Sequence, residues 1–187
     1  MDDLPGWDES ERPAPPSYPT ATAGDLQAGQ HLAAVHDMFR QGLATVAEVV
    51  ARVVQGDADV GEARAAVHAL GLTETYQQLG SWCGQVCRAI THHHQIEDAW
   101  VYPPLRSADG GLRDVLDRLT LEHEVVHAVL ERVDETLVAL ARDGDDDRSA
   151  VERLSRQFTH LHALLLSHFR YEEDAIGTAL GVHRIGP

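Results

Sequence analysis

The chain has 187 residues, the length of one domain rather than two. Hydrophobic residues make up 43% of it and aromatic residues only 5%, and runs of β-branched residues are scarce, which favours helices over strands. Thirty acidic residues against 15 Lys and Arg give a formal net charge of −15. This charge excludes a basic surface for nucleic acid, and an anionic membrane would repel the chain. We therefore expect neither nucleic acid nor membrane as a partner.

The cysteines and the first residues bear on the cellular compartment. Cys83 and Cys87 lie four residues apart in a helical stretch and do not form the framework of a secreted, disulfide-rich domain. The chain begins Met1-Asp2-Asp3, without the apolar run of a signal peptide or a membrane span. These features predict a cytoplasmic location.

The first part of the chain divides into an arm and a helix. Residues 1–24 contain five prolines, which exclude a regular helix and predict an extended or disordered arm. Residues 25–187 are expected to form one helical domain. Asp25 is the expected N-cap of a first helix that ends near Gln55.

Four more helical segments follow, one short and three long. A short extra helix is expected at about 60–70, and long helices at about 73–103, 112–142 and 148–180, separated by Gly, Pro and Asp. The connections are short, so neighbouring helices should be antiparallel. The predicted fold is all-α, an up-down-up-down bundle of four helices.

Histidines and glutamates interrupt the apolar face of every long helix. In the third helix, for example, His123 occupies a core position in a seam of Leu and Val that advances in steps of four and three. The inward positions are taken by His36 in the first helix, His93 and Glu97 in the second, His123 in the third, and His168 and Glu172 in the fourth. His127 joins this set as the second histidine of a His-x-x-x-His pair with His123.

These seven groups predict a pair of metal ions. A buried carboxylate or imidazolium without a partner is strongly unfavourable, whereas a cation would compensate for burial, and side chains four residues apart can reach one point. Imidazole and carboxylate without thiolate suit iron better than manganese or zinc. Five imidazoles and two bridging carboxylates supply about nine bonds, and a bridging oxo or hydroxo group adds two, against about twelve for two six-coordinate irons. One position is left open for dioxygen, nitric oxide or peroxide.

Four segments, one per helix and in the right order, resemble the hemerythrin-like, or HHE cation-binding, domain family over roughly residues 25–180. The segments are His36-Asp37-x-x-Arg40, His93-His94-Gln95-Ile96-Glu97-Asp98 leading to Tyr102-Pro103, Glu122-His123, and His168-x-x-x-Glu172-Glu173. The resemblance implies an antiparallel four-helix bundle around an oxo-bridged di-iron centre that the seven residues above ligate.

The carboxylate of the fourth helix has two candidates. In oxygen-binding hemerythrins it lies five residues after its histidine, which would be Glu173 here. The broader family pattern and the apolar seam favour Glu172, because four residues return to within about 40° of the face of His168 and five overshoot to about 140°. We expect Glu172, with Glu173 as the alternative.

Two other metal sites are weaker interpretations. His123-Glu124-x-x-His127 matches the zinc-protease pattern, in which Glu is the general base. Leu130 stands where a metzincin needs glycine, and the pairs on the other helices would stay unexplained. A ferritin-like centre needs two Glu-x-x-His pairs, and only Glu124-x-x-His127 is present.

Two classes of function remain. One is a module that binds dioxygen or nitric oxide in oxygen or iron sensing or handling. The other is a di-iron redox enzyme that uses peroxide or dioxygen, with catalase-like, peroxidase-like or oxygenase chemistry. The five histidines leave little room for an organic substrate, which favours the binding module. The sequence indicates no particular protein partner.

Overall fold

The computed structural model describes residues 4–55, 86–143 and 148–186, and all regular structure in these ranges is helical. The helices are α1 (Ala23–Gln55), α2 (Val86–Ile96), α3 (Tyr102–Ala108), α4 (Arg113–Asp143) and α5 (Arg148–Val182). A π-helical turn at Glu97–Val101 joins α2 to α3, so that the two form one continuous segment. The all-α prediction is confirmed for these residues. The expected short helix at 60–70 lies outside them, as does the expected start of the second helix.

The helical segments form a bundle of four. α5 lies against α1 and α4, and α2 also lies against both of these helices. Within the described residues, the core has two apolar clusters with a polar layer between them. Along α4 the layer falls at His123, between Leu119 and Val126 of the two clusters, and along α5 it contains His168 and Glu172, between Leu165 and Ala175. None of the helices within 4–55, 86–143 and 148–186 has the length and apolarity that a bilayer crossing needs.

The first helix begins slightly before its expected N-cap. Asp25 lies inside the first turn of α1, so its prediction as the N-cap was wrong. Thr22 precedes the helix, and its hydroxyl oxygen accepts the backbone N–H of Asp25 at 3.3 Å. The Asp25 carboxylate accepts in return the backbone N–H of Thr22 at 2.7 Å. This reciprocal pair is a capping box, with Asp in the place of the usual Glu or Gln.

The second long helix continues past the prolines at which it was expected to end. Pro103 and Pro104 stand in the first turn of α3, where backbone N–H groups need no partner within the helix. The chain reaches them through the π turn, which is closed by a bond from the Tyr102 N–H to the Glu97 carbonyl. The helix therefore extends to Ala108.

Residues 4–22 lie against the bundle although they have little regular structure. They contain one short 3₁₀ turn. Trp7 packs on one of the apolar clusters, and the Tyr171 hydroxyl donates to the Pro13 carbonyl at 2.9 Å. Contacts with side chains of the bundle therefore hold this irregular segment.

Close contact of α1 and α5 generates a stability prediction. A Cβ on Gly181 would collide with the Asp25 carbonyl, and a Cβ on Gly29 would lie 3.0 Å from the Gly177 carbonyl oxygen. We expect Gly181→Ala to lower the free energy of unfolding by about 1–3 kcal/mol, measured by urea denaturation. The same change in an open helical position usually stabilises by up to about 1 kcal/mol.

Gly24→Ala is the matched control, because its Cβ would meet nothing closer than the Thr22 hydroxyl at 3.6 Å. It should leave stability unchanged or slightly raised. A Gly181→Ala protein as stable as the wild type would contradict the backbone contact.

Candidate metal centre

The polar layer brings two groups of metal-binding side chains together. The first group consists of His94, His123 and His168, and the second of His36, His93, Glu97 and Glu172. Within each group, one donor atom from every residue lies within 4.8 Å of the others. All the members are buried except His93, which is partly exposed. Each group can therefore surround one ion.

The sequence-predicted residues fall in these two groups with one exception. His127 is half-buried and lies outside both, with its Nε2 3.3 Å from the Nδ1 of His94. His94, which is 0% exposed, joins the first group although the ligand set predicted from the sequence does not include it. The spacing of the residues could have indicated His94. On a helix, positions three and four residues after the buried Ile90 both lie on its face, and these positions are His93 and His94. The second helical segment thus contributes three donors and α4 only one.

Glu97 spans the two groups. Its Oε1 lies 3.1 Å from the Nε2 of His93, and its Oε2 lies 3.8 Å from the Nε2 of His123. Burial and the nearby carboxylates of Glu172 and Asp98 raise the pKa of Glu97 well above its ordinary value. A cation at this point would remove that penalty, and one oxygen for each group is the arrangement that a bridging carboxylate requires.

Glu172 and Glu173 take different places. Glu172 Oε2 lies 3.3 Å from the Nε2 of His36 and 3.7 Å from that of His168, between the two groups. Glu173 lies behind His36, where it accepts the Nδ1–H of that ring at 2.8 Å and a bond from Arg40 at 2.7 Å. α5 is a regular α-helix throughout, so only Glu172 faces inward.

The outer ring nitrogens of several histidines are held by acceptors. His36 donates to Glu173 at 2.8 Å, His123 to Asp98 at 3.1 Å and His168 to Glu122 at 3.2 Å, while Nδ1 of His94 lies 3.3 Å from Nε2 of His127. Because a carboxylate only accepts, these bonds place a proton on Nδ1 of His36, His123 and His168, so that Nε2 of each neutral ring can bind a metal ion. Burial alone would lower the pKa of His36, but its contacts with Glu172 and Glu173 outweigh burial and raise it, so a metal ion would replace a proton at this ring. Such outer partners fix the tautomer and orientation of metal-binding histidines in general.

The inward atoms suit a cation better than they suit one another. His123 and His168 direct their Nε2 lone pairs at each other across 3.2 Å. Among the described side chains, His94 Nε2 and both oxygens of Glu97 are buried without a hydrogen-bond partner. Burial lowers the pKa of His93 to about 3 and that of His94 well below its ordinary value, so both rings are neutral. Neutral imidazoles and carboxylates without thiolate form a donor set that fits iron.

The π turn places a tyrosine, Tyr102, at the candidate metal centre. This residue was not among the site residues predicted from the sequence. Tyr102 is 2% exposed, and its hydroxyl donates to Glu172 Oε1 at 2.6 Å and lies 3.4 Å from His123 Nε2. Burial and the charge of Glu172 raise the pKa of Tyr102 well above its ordinary value, so the phenol keeps its proton. A π turn leaves no mark in apolar spacing, and π turns are frequent at functional sites.

A cavity of about 620 Å³ leads to the second group. His93 and Glu97 line it, and no member of the first group does. Its apolar lining includes Leu32, Val35, Ile96, Val101, Ile176 and Leu180. A ligand in this cavity would therefore meet the two-histidine group rather than the three-histidine group.

Comparison with known proteins identifies the family. The model of the hemerythrin HHE cation-binding domain matches residues 28–180, a range that includes both groups of donors. No match was found among curated proteins or among solved structures. The resemblance noted in the sequence is confirmed: the chain belongs to the hemerythrin family of HHE cation-binding domains.

Proposed function

We propose that the chain holds two iron ions, one in each group, and binds dioxygen or a related small ligand such as nitric oxide or peroxide in oxygen or iron sensing or handling. The observation that carries this proposal is the division of five histidines into three and two, with Glu97 and Glu172 between them. With both carboxylates and an oxo or hydroxo group as bridges, the three-histidine ion reaches six bonds and the two-histidine ion about five. The open position belongs to the second group.

The cavity supports this choice of ligand. It meets the protein's donors at His93 and Glu97, on the side where a coordination position is left open. Its apolar lining favours a small neutral molecule over an ion. The iron pair would supply reversible electron exchange and the open position. The protein supplies an apolar path to the centre and a phenol proton on Tyr102, whose hydroxyl oxygen lies 2.6 Å from Glu172 Oε1.

The proposal includes the topology, domain division and location expected from the sequence. Asp25 and Gly29 of α1 lie near Gly181 and Gly177 of α5, so the residue number rises along one helix as it falls along the other. These contacts support an antiparallel, up-down-up-down order. We assign residues 25–187 to the metal-binding bundle and 1–24 to an arm, in a cytoplasmic protein.

The size of the cavity favours a second candidate function. Sites for small organic ligands occupy about 300–1,000 Å³, and the 620 Å³ here far exceed the space of a diatomic molecule. An apolar organic molecule could lie beside His93 and Glu97. The number of histidine ligands had led us to expect too little room for such a molecule. The protein would then be a di-iron oxidoreductase that uses peroxide or dioxygen.

Metal analysis and a dioxygen titration test the proposal. Protein expressed with added iron should contain close to two irons per chain. After anaerobic reduction it should take up about one dioxygen per iron pair, followed by absorbance, and release it when dioxygen is removed. One zinc and no iron would contradict the di-iron centre. Sustained consumption of peroxide, or of dioxygen with a reductant and an apolar organic compound, would instead establish the enzyme.

Measuring the iron content of variants can test whether His94, and not His127, is a metal ligand. His94→Ala should reduce the content to about one iron per chain, because it removes a direct donor of the three-histidine group. His127→Ala should keep both irons and weaken their binding by about tenfold or more, because it removes only the partner that orients His94. His92→Ala, an exposed neighbour, is the control and should behave like the wild type. The opposite ranking of His94 and His127 would restore the ligand set expected from the sequence.

The two glutamates of α5 should also separate. Glu172→Ala removes a group shared by both ions and should cost most of the iron together with the bridge absorption. Glu173→Ala removes an outer partner of His36 and should retain near-wild-type iron and the bridge absorption. Metal analysis and the absorption spectrum measure both variants. Loss of iron from the Glu173 variant alone would show that α5 is bulged in the metal-bound protein.

A further inference from the structure

The N-terminal segment brings an arginine to the outer side of the metal centre. Arg12 donates from Nε and Nη2 to the two oxygens of Glu122, both at 2.8 Å. Glu122 Oε2 in turn accepts the Nδ1–H of His168 at 3.2 Å. One carboxylate therefore separates a residue of the irregular segment from a member of the three-histidine group.

This pairing is buried. The side chain of Glu122 is 1% exposed and that of Arg12 is 11% exposed. Arg118 adds a bond to Glu122 Oε1 at 3.0 Å. Burial alone would raise the pKa of Glu122, but the bonds from His168, Arg12 and Arg118 outweigh it and hold the pKa near 2. Glu122 is therefore an anion, and two guanidinium groups share its charge.

Arg12 is itself firmly placed. Its guanidinium lies 4.6 Å from the ring centre of Tyr171 and 5.6 Å from that of Trp7, as in cation–π contacts. Three side chains of the bundle also donate to backbone carbonyls around it: His160 to Pro5 at 2.7 Å, Arg118 to Asp8 at 2.7 Å and Tyr171 to Pro13 at 2.9 Å. The segment is fastened at both sides of Arg12, so anchoring does not depend on the bond to Glu122.

We propose that Arg12 is a positioning residue of the metal centre: by pairing with Glu122, it limits how strongly that carboxylate draws the Nδ1 proton of His168. This inference rests on the proposed iron pair. A carboxylate on the outer nitrogen makes an imidazole a more electron-rich ligand, which stabilises the more oxidised metal. An arginine that occupies both carboxylate oxygens weakens this effect. The N-terminal segment thereby keeps the reduction potential of the three-histidine ion higher than Glu122 alone would set it.

The first test is the midpoint potential of the iron-loaded, full-length protein. Arg12→Gln should shift the potential to more negative values while the iron content stays at the wild-type level. Arg12→Lys keeps the charge but not the two-pronged geometry and should give an intermediate shift. Tyr18→Phe is the matched control, because it removes a 2.8 Å bond to Asp109 from the same segment, away from Glu122. Its potential should equal that of the wild type.

A second measurement does not depend on iron. In the metal-free, full-length protein with ¹⁵N-labelled histidine, the Nδ1 proton of His168 should move downfield in Arg12→Gln, since Glu122 becomes a stronger acceptor, and stay in place in Tyr18→Phe. An unchanged potential and proton in Arg12→Gln, or equal shifts in both variants, would overturn the inference. A wild-type protein without iron would defeat the proposed function, whereas the proton signal would still decide whether Arg12 acts on His168.

Discussion

Burial of imidazole and carboxylate groups in one layer of the bundle is the constraint on which the remaining structure depends. The layer lies between two apolar clusters, where an unpaired carboxylate such as Glu97 is strongly disfavoured. On the outer side of the layer, acceptors bind the Nδ1–H groups of the histidine rings, as Glu173 does for His36. A cation would stabilise the inner side, because Nε2 of His123 and Nε2 of His168 face each other at 3.2 Å.

The sequence was sufficient on α1 and α5. On α1 and α5, apolar periodicity predicts that His36, His168 and Glu172 face inward, and these side chains are fully buried. It fails in the second helical segment, because His93 and His94 both continue the seam and no rule of spacing excludes one of them. The structure uses both, since neighbours on a helix point about 100° apart and can serve different groups. The π turn that follows, and Tyr102 with it, is a departure from periodicity and so cannot be read from a periodic pattern.

Other features depend on contacts that a local sequence pattern does not reveal. Five prolines correctly exclude a helix from the first residues, but nothing in that composition pairs Arg12 with Glu122, which lies on α4. At the start of α1, Thr22 and Asp25 are both good capping residues, and only their reciprocal bonds show which one stands outside the helix. Local patterns predict elements, whereas partners across the bundle follow from the fold.

The two ions of the proposed centre would have different surroundings and therefore different roles. The two-histidine group faces the apolar cavity through His93 and Glu97, so a ligand of the proposed centre would arrive there. The three-histidine group does not line this cavity, and Glu122 and the arginine of the N-terminal segment lie behind it. Glu97 and Glu172 lie near histidines of both groups, so the charge on one ion would influence the other ion. A residue that adjusts the saturated ion can therefore influence ligand binding at the open one without touching the ligand.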